Sequence, residues 1–455
     1  MTQANSTRWE PQAARRYAAG SGTEADANAG QATESDQRLL GGPADLAGHV
    51  RWHGPLPDYD AATILDAVER SGLTGRGGAA FPTGRKMRAV ADAARARRSA
   101  RQRGTVLVAN GCEGEPASAK DRTLLTRAPH LVLDGITAAA RAVGAERVHL
   151  CLHENDDATI QAVRRALDER RGARAQTADV EITRVPERYV ASEETSLIQL
   201  IDGGPALPRF TPPRPFERGV DGRPTLVDNV ETLAHTALIA RHGPAWFRAT
   251  GTPNAPGTAL VTVTGAVNRP GVYEIALGIT GAELLATAGG SRQPIQAVLA
   301  GGYFGAWLPE QRFHSARITA PDLLAAGAAM GAGIFVALPG ESCALAETAR
   351  VARYLAEQSA GQCGPCINGL PALAQALEAL AARGDRRAPE YIKNLTPYVA
   401  GRGACRHPDG ATRLIASALS VFAADVRTHL HRGPCTGARR APILPLPAAT
   451  VGVYR

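Results

Sequence analysis

Short runs of β-branched residues alternate with helical patterns over the first half of the chain, and this alternation constrains the fold more than any other feature. Strand-like runs lie at 105–109, 147–152 and 179–185, and helical patterns lie at 61–71, 131–143 and 158–170. Such alternation is typical of α/β folds, in which helices cover a mostly parallel sheet. We therefore predict an α/β domain over residues 46–245.

The pattern changes twice beyond this domain. Two strand-like runs in TALVTVTGAVNRPGVYEI flank a turn at 268–271 and are followed by one helical pattern, which predicts a small β-rich domain at 250–338. Helical periodicity then dominates and predicts a helical bundle at 340–432, followed by a proline-rich tail at 433–455. Residues 1–45 are polar and aperiodic, which predicts a disordered lead.

Composition excludes several classes of function. No apolar run approaches the roughly 18 residues of a membrane helix, and the first residues lack the apolar core of a signal peptide, so we expect a cytoplasmic protein without direct membrane insertion. Seven cysteines, an odd number, favour reduced thiols or metal ligands over disulfides. The net charge of +8 comes from scattered arginines without interleaved aromatic residues, so we expect no nucleic-acid partner.

A glycine-rich stretch, GLTGRGGAAFPTGRKM at 72–87, follows a helical pattern rather than a strand. It therefore differs from the dinucleotide fingerprint, and it lacks the Gly-Lys-Ser/Thr of a nucleoside-triphosphate loop. Thr83 is the predicted cap of a helix that runs to about Arg97. Arg85 and Lys86 in its first turn oppose the helix dipole unless an anion binds there. These residues alone fit two interpretations equally well: a site that binds an anion, and a glycine-rich turn with solvated basic side chains.

Three later stretches place polar side chains at the ends of predicted elements. VLVANGCEGEP ends a strand at Asn110, at the edge where α/β sheets bind ligands. YVASEET sets Glu193 and Glu194 at a helix start with Ser192 as the predicted cap, and VDNVET sets Asn229 before another helix. Helix capping alone explains one of the two glutamates, and capping stays open beside ligand binding for Asp228, Asn229 and Glu231.

Together, these four stretches resemble the NADH-binding flavoprotein subunit of respiratory complex I and its relatives in bidirectional hydrogenases and formate dehydrogenases. The resemblance covers about residues 60–430 and implies that FMN is a cofactor. It implies a phosphate site around Gly75–Gly78 and Lys86, and contacts to flavin or nicotinamide from further matching positions. The implied cofactor-binding residues are Gly75, Arg76, Gly77, Gly78, Phe81, Lys86, Asn110, Glu113, Tyr189, Glu193 and Asn229, and the implied catalytic residues are Glu115 and Glu194.

Two departures from the family pattern affect nucleotide binding. Cys112 replaces an aspartate of the family motif N-A-D-E-x-E-P. Of three phenylalanines that stack on adenine in the family, Phe81 is kept, whereas Ala89 and Arg214 stand at the other two positions. Loss of two rings predicts weak NADH binding. Arg214 could alternatively stack through its guanidinium plane or bind the extra phosphate of NADPH.

The β-rich segment resembles the β-grasp module called the soluble-ligand-binding domain (SLBB), for which a spacer or docking role is expected. The helical segment contains SAGQCGPCINGL, in which Cys363 and Cys366 have the C-x-x-C spacing, and Cys405 follows. C-x-x-C alone could bind zinc or form a redox dithiol.

The family motif S-C-G-x-C-x-P-C and a later cysteine bind a [4Fe–4S] cluster. Three ligands match here, and Ala360 stands at the first cysteine. The resemblance therefore implies a [3Fe–4S] cluster, or a [4Fe–4S] cluster whose fourth iron takes water, a partner's ligand or His407. We expect Cys343 to lie about 25 Å away, beyond the helix that leads to the motif. Cys112, Cys151 and Cys435 are expected to be ordinary thiols.

The function implied is an oxidoreductase that passes electrons from NADH, NADPH or another donor through FMN and an iron–sulfur cluster to a protein partner. That partner is expected to be ferredoxin-like or a membrane reductase. The alternative is a scaffold or sensor subunit that keeps the fold without catalysis.

Overall fold

The computed structural model describes residues 37–98 and 104–447. The first domain contains α1 (Leu46–His53), α2 (Ala61–Ser71), α3 (Thr83–Arg98), β1 (Thr105–Asn110), α4 (Lys120–Arg127), α5 (Pro129–Val143), β2 (Ala145–His153), α6 (Asp157–Gly172), β3 (Val180–Val185), α7 (Glu194–Ile201), β4 (Thr225–Asn229) and α8 (Val230–Arg248). The three strands and three helices predicted from periodicity are confirmed.

The four strands form a parallel sheet in the order β3-β2-β1-β4. Helices α5 and α8 pack so closely at Gly135 that an added Cβ would lie 1.9 Å from the Leu233 carbonyl oxygen. Glycine at this position therefore allows the two helices to approach each other. The central strand β1 is buried except at Asn110, which pairs in register with Asn229 at the end of β4. These two amides therefore meet at the carboxyl edge of the sheet.

Part of the predicted lead belongs to this domain. Residues 37–45 are described, and Leu39 and Leu40 are buried in the α/β core. The Leu39 amide also donates to the Glu274 carboxylate at 2.8 Å. The prediction of disorder is thus wrong for residues 37–45, because two adjacent leucines are enough to anchor an otherwise polar segment. Residues 1–36 lie outside the described part.

The elements of the second domain are β5 (Gly251–Thr252), β6 (Ala255–Pro256), β7 (Thr258–Gly265), β8 (Gly271–Ala276), α9 (Gly281–Thr287), β9 (Ile295–Ala300), β10 (Ala306–Pro309), α10 (Glu310–Ser315), α11 (Ala320–Ala325) and β11 (Ile334–Pro339). Five of the strands form a mixed sheet in the order β10-β9-β11-β7-β8, and β5 and β6 form a short hairpin before it. The predicted hairpin is confirmed as the antiparallel pair β7 and β8.

The third domain is the predicted helical bundle, with α12 (Ala344–Glu357), α13 (Leu370–Arg383), α14 (Ala388–Val399), α15 (His407–Val421) and α16 (Ala423–Arg432). The tail folds back onto it: Leu444 is buried, and the amides of Ile443 and Leu444 donate to the Glu347 carboxylate at 2.9 and 3.0 Å. Within the described residues, no helix has the length and apolar character needed to cross a membrane.

Candidate functional site

The glycine-rich loop joins α2 to α3 and is closed by its own backbone. The Gly75 amide donates to the Phe81 carbonyl at 2.8 Å, and the Thr83 amide donates to the Leu73 carbonyl at 2.9 Å. Gly78 has a φ of +111°, a conformation that other residues rarely adopt. The loop lines a cavity of about 230 Å³ shared with the second domain, with Gly75, Gly78, Lys120, Glu231 and Gly331 among its walls.

The side chain of Arg76 is committed to protein partners. Its guanidinium donates to the Thr74 hydroxyl at 2.9 Å and to the Thr258 carbonyl at 3.0 Å, and its backbone amide donates to Thr232 Oγ1 at 2.9 Å. The guanidinium also lies 3.8 Å from the buried Glu231 carboxylate. Arg76 therefore fastens the glycine-rich loop to the second domain.

Lys86 lies in the first turn of α3 and faces two carboxylates. Its Nζ is 3.5 Å from Asp228 Oδ1 and 3.7 Å from Glu194 Oε2, and it donates to the Val227 carbonyl. Burial lowers the pKa of Lys86, but the two carboxylates outweigh this effect and raise its pKa above the ordinary value. Arg85, in contrast, is exposed.

Asp228 has an open acceptor beside this lysine. Its Oδ2 is buried, and it has no hydrogen-bond partner among the described residues. A buried carboxylate oxygen without a donor is costly, so the site suits a ligand that brings hydroxyl or N–H donors. FMN carries both kinds of donor on its ribityl chain and ring, and a cavity of about 230 Å³ lies beside the glycine-rich loop. The residues present therefore fit FMN.

The two strand-end amides are held by protein contacts. Asn110 Nδ2 donates to the Ser192 carbonyl at 2.9 Å, and its Oδ1 accepts from the Cys112 amide at 3.1 Å. Asn229 Oδ1 caps α8 by accepting from the Glu231 amide at 3.0 Å, as the capping interpretation predicted. Cys112 is buried in an apolar cluster that also contains Cys151, and burial raises the pKa of its thiol.

A buried ion-pair cluster under the cavity was missed in the sequence. Lys120 is almost fully buried, and its Nζ lies 2.7 Å from Asp121 Oδ1, 2.9 Å from Glu231 Oε2 and 3.2 Å from Asn229 Oδ1. Lysine and aspartate next to each other at a helix start look like solvated surface in a sequence. Only the folded arrangement shows that Lys120 neutralises the floor of the cavity.

Two of the predicted cofactor-binding acids cap helices. Glu113 accepts from the amides of Asp121 and Arg122 at 3.0 and 3.1 Å, at the start of α4. Glu193 is the N-cap of α7 and accepts from the amides of Thr195 and Ser196 at 2.9 and 3.1 Å. The prediction that Ser192 caps this helix is wrong, because the helix begins one residue later.

Thr83 does not cap α3 either. The helix starts at Thr83 itself, and its hydroxyl is buried without a hydrogen-bond partner in the described part of the chain. The bridge between Thr74 and Pro82 instead sets the direction in which the chain enters the helix.

Glu115 lies in a buried pocket between the domains. Its carboxylate accepts from the Tyr189 hydroxyl at 2.7 Å and from the Tyr303 amide at 3.1 Å. Burial raises the pKa of Glu115 to about 7, although both donors act in the opposite direction. Glu115 can therefore change protonation state near neutral pH. Glu194, by contrast, is 41% exposed beside Lys86.

The cysteine motif forms a loop that leads into α13. The amides of Cys366 and Ile367 both donate to the Cys363 carbonyl at 3.0 Å, in a π-helical turn over Pro365–Gly369. Burial raises the pKa of the Cys366 thiol to about 12, and the adjacent thiols of Cys363 and Cys405 add to the shift. Cys363 and Cys366 therefore lie next to each other in this loop, and Cys405 lies in the segment just before α15.

One segment of the α/β domain connects the two sites. The Arg188 guanidinium donates to the Ser359 carbonyl at 3.1 Å, and the Tyr189 amide donates to Gln358 Oε1 at 3.1 Å. Burial raises the pKa of the Cys405 thiol, and the negative charge of the nearby Glu193 carboxylate raises it further. Residues 188–193 therefore contact the cysteine loop and also border Lys86 through the neighbouring Glu194.

The other candidate ligands are placed differently. His407 is buried, its Nε2 donates to the Leu355 carbonyl at 2.7 Å, and its Nδ1 has no partner among the described residues. Cys343 lies beside His429 and Cys435 rather than with the cysteine loop. Cys435 was expected to be an ordinary thiol, but the fold brings it together with a second thiol and an imidazole from distant parts of the chain.

The adenine positions lie on an open surface. Phe81 is 50% exposed, and Arg214 is exposed with its backbone amide bonded to Glu217. A cavity of about 430 Å³ lies along residues 209–222, and its wall includes Phe210, an aromatic side chain that is 74% exposed and was missed in the sequence.

Comparisons with known proteins agree with this architecture. Residues 68–237 match the Nuo51 FMN-binding domain, residues 260–304 match the SLBB domain, and residues 346–429 match the NADH-ubiquinone oxidoreductase-F iron–sulfur binding region. A solved structure of an NAD⁺-reducing [NiFe]-hydrogenase in the H₂-reduced state is similar, with a TM-score of 0.77 and 30% identity over 86% of this chain and 68% of that one.

Curated relatives align over most of their length. The chain is 31% identical to the second of two F subunits of NADH-quinone oxidoreductase from Rhizobium meliloti, over 84% of this chain and 91% of the relative. It is 30% identical to the F subunit of NADH-quinone oxidoreductase from Rickettsia bellii, over 81% and 90%, respectively. Both the order of the three domains and this coverage identify the chain as a member of the family of NADH-quinone oxidoreductase F subunits.

Proposed function

We propose that the chain is an electron-input subunit, in which the site around the glycine-rich loop holds FMN and Cys363, Cys366 and Cys405 hold an iron–sulfur cluster. The observation that carries this proposal is the contact of residues 188–193 with both regions, through Ser359 and Gln358 on one side and through Asn110, which donates to the Ser192 carbonyl, on the other. Because this segment is packed against the cysteine loop, the two groups are held at a fixed separation.

Each residue near the flavin site has a distinct role in this proposal. Bound FMN supplies conversion between two-electron and one-electron transfer. Lys86 provides the cation for the phosphate, and Asp228 Oδ2 accepts from a ribityl hydroxyl. Glu194 is exposed enough to meet a nicotinamide ring, whereas Glu115 is too buried to do so and acts through Tyr189 as a positioning residue.

The electron donor is a reduced nicotinamide nucleotide, whose adenine lies near Phe81 and the surface of residues 209–222. Phe210 offers an aromatic face there that compensates in part for Arg214. The acceptor is a protein partner, because family members are subunits of larger assemblies; a ferredoxin-like protein or a membrane reductase has suitable chemistry. We propose a cytoplasmic location, where the reduced thiols that the proposed cluster requires would persist.

The test is a visible spectrum of the anaerobically purified protein. Flavin absorption at about 450 nm with a broad iron–sulfur shoulder supports the proposal. A colourless protein contradicts it and supports the scaffold or sensor alternative. Iron and FMN contents per chain, measured on the same sample, separate loss of one group from loss of both.

A further inference from the structure

A second set of soft ligands lies in the helical domain, apart from the cysteine loop. The Cys343 Sγ, His429 Nε2 and Cys435 Sγ atoms all lie within 4.8 Å of one another, and the Cys343 Sγ to His429 Nε2 distance is 3.6 Å. Ligands on a tetrahedral zinc ion, with Zn–S near 2.3 Å and Zn–N near 2.0 Å, are about 3.5–3.8 Å apart. The observed spacing is close to that of a mononuclear site.

We propose that Cys343, His429 and Cys435 bind a zinc ion, with solvent as the fourth ligand, and that this ion fastens the tail to the helical domain. The ligands come from three places: the N-cap of α12, the last turn of α16 and the start of the tail. Two thiolates and one imidazole suit Zn²⁺ better than hard cations such as Mg²⁺ or Ca²⁺.

The surroundings orient the ligands for a metal. His429 Nδ1 faces the Leu380 carbonyl at 3.4 Å, so the proton resides on Nδ1 and the lone pair on Nε2 faces the thiols. A histidine that ligates a metal commonly donates its other N–H to a carbonyl in this way. The Ala346 amide lies 3.4 Å from Cys343 Sγ and donates to it, which orients the sulfur at the start of α12.

One existing contact would be exchanged for the metal. The Cys435 amide donates to His429 Nε2 at 3.2 Å, and this lone pair would pass to the ion. Access is available because Cys435 is only partly buried, whereas the other two ligands are almost fully buried. The tail is tightly packed here, since a Cβ added at Gly437 would lie 2.5 Å from the Glu341 carbonyl oxygen.

The experiment is metal analysis of the purified full chain by mass spectrometry, with iron and zinc measured on the same sample. We expect about one zinc ion per chain in the parent. His429→Ala and Cys435→Ser should lose zinc but keep iron, and retained iron reports that the helical domain is folded. The matched control is His431→Ala, an exposed histidine two residues away on the same helix, which should keep both metals.

A reciprocal variant separates this inference from the proposed function. Cys363→Ser should lose iron and keep zinc, whereas joint loss of zinc and iron from Cys363→Ser would assign both metals to one site and overturn the inference. Absence of zinc from the parent above the level of the buffer would also overturn it. So would a Cys343–Cys435 disulfide in the intact mass of the protein.

Discussion

The α/β domain and the helical domain hold their candidate ligands in different ways. Around the glycine-rich loop, Glu113, Glu193 and Asn229 already bond to helix termini, and Arg76 bonds to the second domain. In the helical domain, Cys343 and Cys366 are buried in the hydrophobic core, and each has another thiol nearby. Substitutions in the α/β domain should therefore affect folding and cofactor binding together, whereas cysteine substitutions should remove a metal and leave the fold.

The largest effect should come from the cysteine loop. Replacing Cys363, Cys366 or Cys405 singly by alanine should abolish the iron–sulfur absorption, because only three thiols are available for the cluster. Cys343→Ala is the control and should retain the iron. Iron content and visible absorption provide the measurement. Bleaching of the cluster in Cys343→Ala would show that the two cysteine groups are not independent.

The next largest effect should come from Lys86, which the structure ties to a buried carboxylate. Lys86→Ala should weaken FMN binding about 10- to 100-fold, as expected for loss of a charge-assisted hydrogen bond worth about 1.5–3 kcal/mol. It also removes the cation beside Asp228 and Glu194, so the double variant Lys86→Ala with Asp228→Asn is measured as well. Asp228→Asn alone is its reference, because Asp228 is itself a proposed FMN contact. FMN affinity of the apoprotein is measured by quenching of flavin fluorescence.

The controls for Lys86→Ala are a variant of another basic residue on α3 and the double variant of Lys86 and Asp228. Arg95 is exposed, and its ion-pair partner among the described residues is Asp92, so Arg95→Ala should bind FMN as the parent does. Arg97 is less suitable, because its guanidinium bonds to the Gly222 and Glu217 carbonyls. Equal FMN affinity in the double variant and in Asp228→Asn alone would exclude Lys86 as the phosphate ligand.

Glu115 should make stability depend on pH. Its pKa is about 7 in the folded protein against an ordinary value of 4.5, so the folded state binds the proton more tightly than the unfolded state does. Stability should therefore fall as the pH rises from about 4.5 to 7, by up to roughly 3 kcal/mol. Glu115→Gln should remove this loss, whereas the exposed Glu357→Gln should not.

Chemical denaturation at pH 5 and pH 8 provides the measurement for Glu115. The difference in unfolding free energy between the two pH values should be smaller in Glu115→Gln than in the parent. An unchanged difference would show that Glu115 is ionised throughout and that its contact with Tyr189 is that of an ordinary carboxylate.

The smallest effect concerns the adenine surface. Ala89→Phe combined with Arg214→Phe should lower the KM for NADH about 30-fold, because two stacking rings contribute roughly 1 kcal/mol each. Initial rates with NADH and NADPH provide the measurement, and Arg164→Phe, at an exposed position on α6 away from this surface, is the control. A parent that already saturates at micromolar NADH would refute the weak-binding argument. A parent that prefers NADPH would make Arg214 a phosphate ligand, and Arg214→Phe should remove that preference.

The sequence predicted the helices and strands where periodicity was strong, as at β1 and α2, and it predicted the three-domain order. It failed where a role depends on distant partners. Leu39 and Leu40 were assigned to disorder because their packing surface comes from other segments. Cys343, His429 and Cys435 have no common spacing, so only tertiary packing brings them together. The sequence also failed to predict that Glu193, rather than Ser192, caps α7, because the start of the helix was placed one residue too early.

The central claim is that one chain holds flavin and cluster in electronic contact, with residues 188–193 setting their separation. The most direct test is an anaerobic titration of the purified protein with NADH, followed by absorbance at about 450 nm and by low-temperature EPR. We predict that flavin absorption bleaches and that the EPR signal of a reduced iron–sulfur cluster appears in the same titration. Bleaching of the flavin without any cluster signal, or no bleaching at all, would contradict this claim.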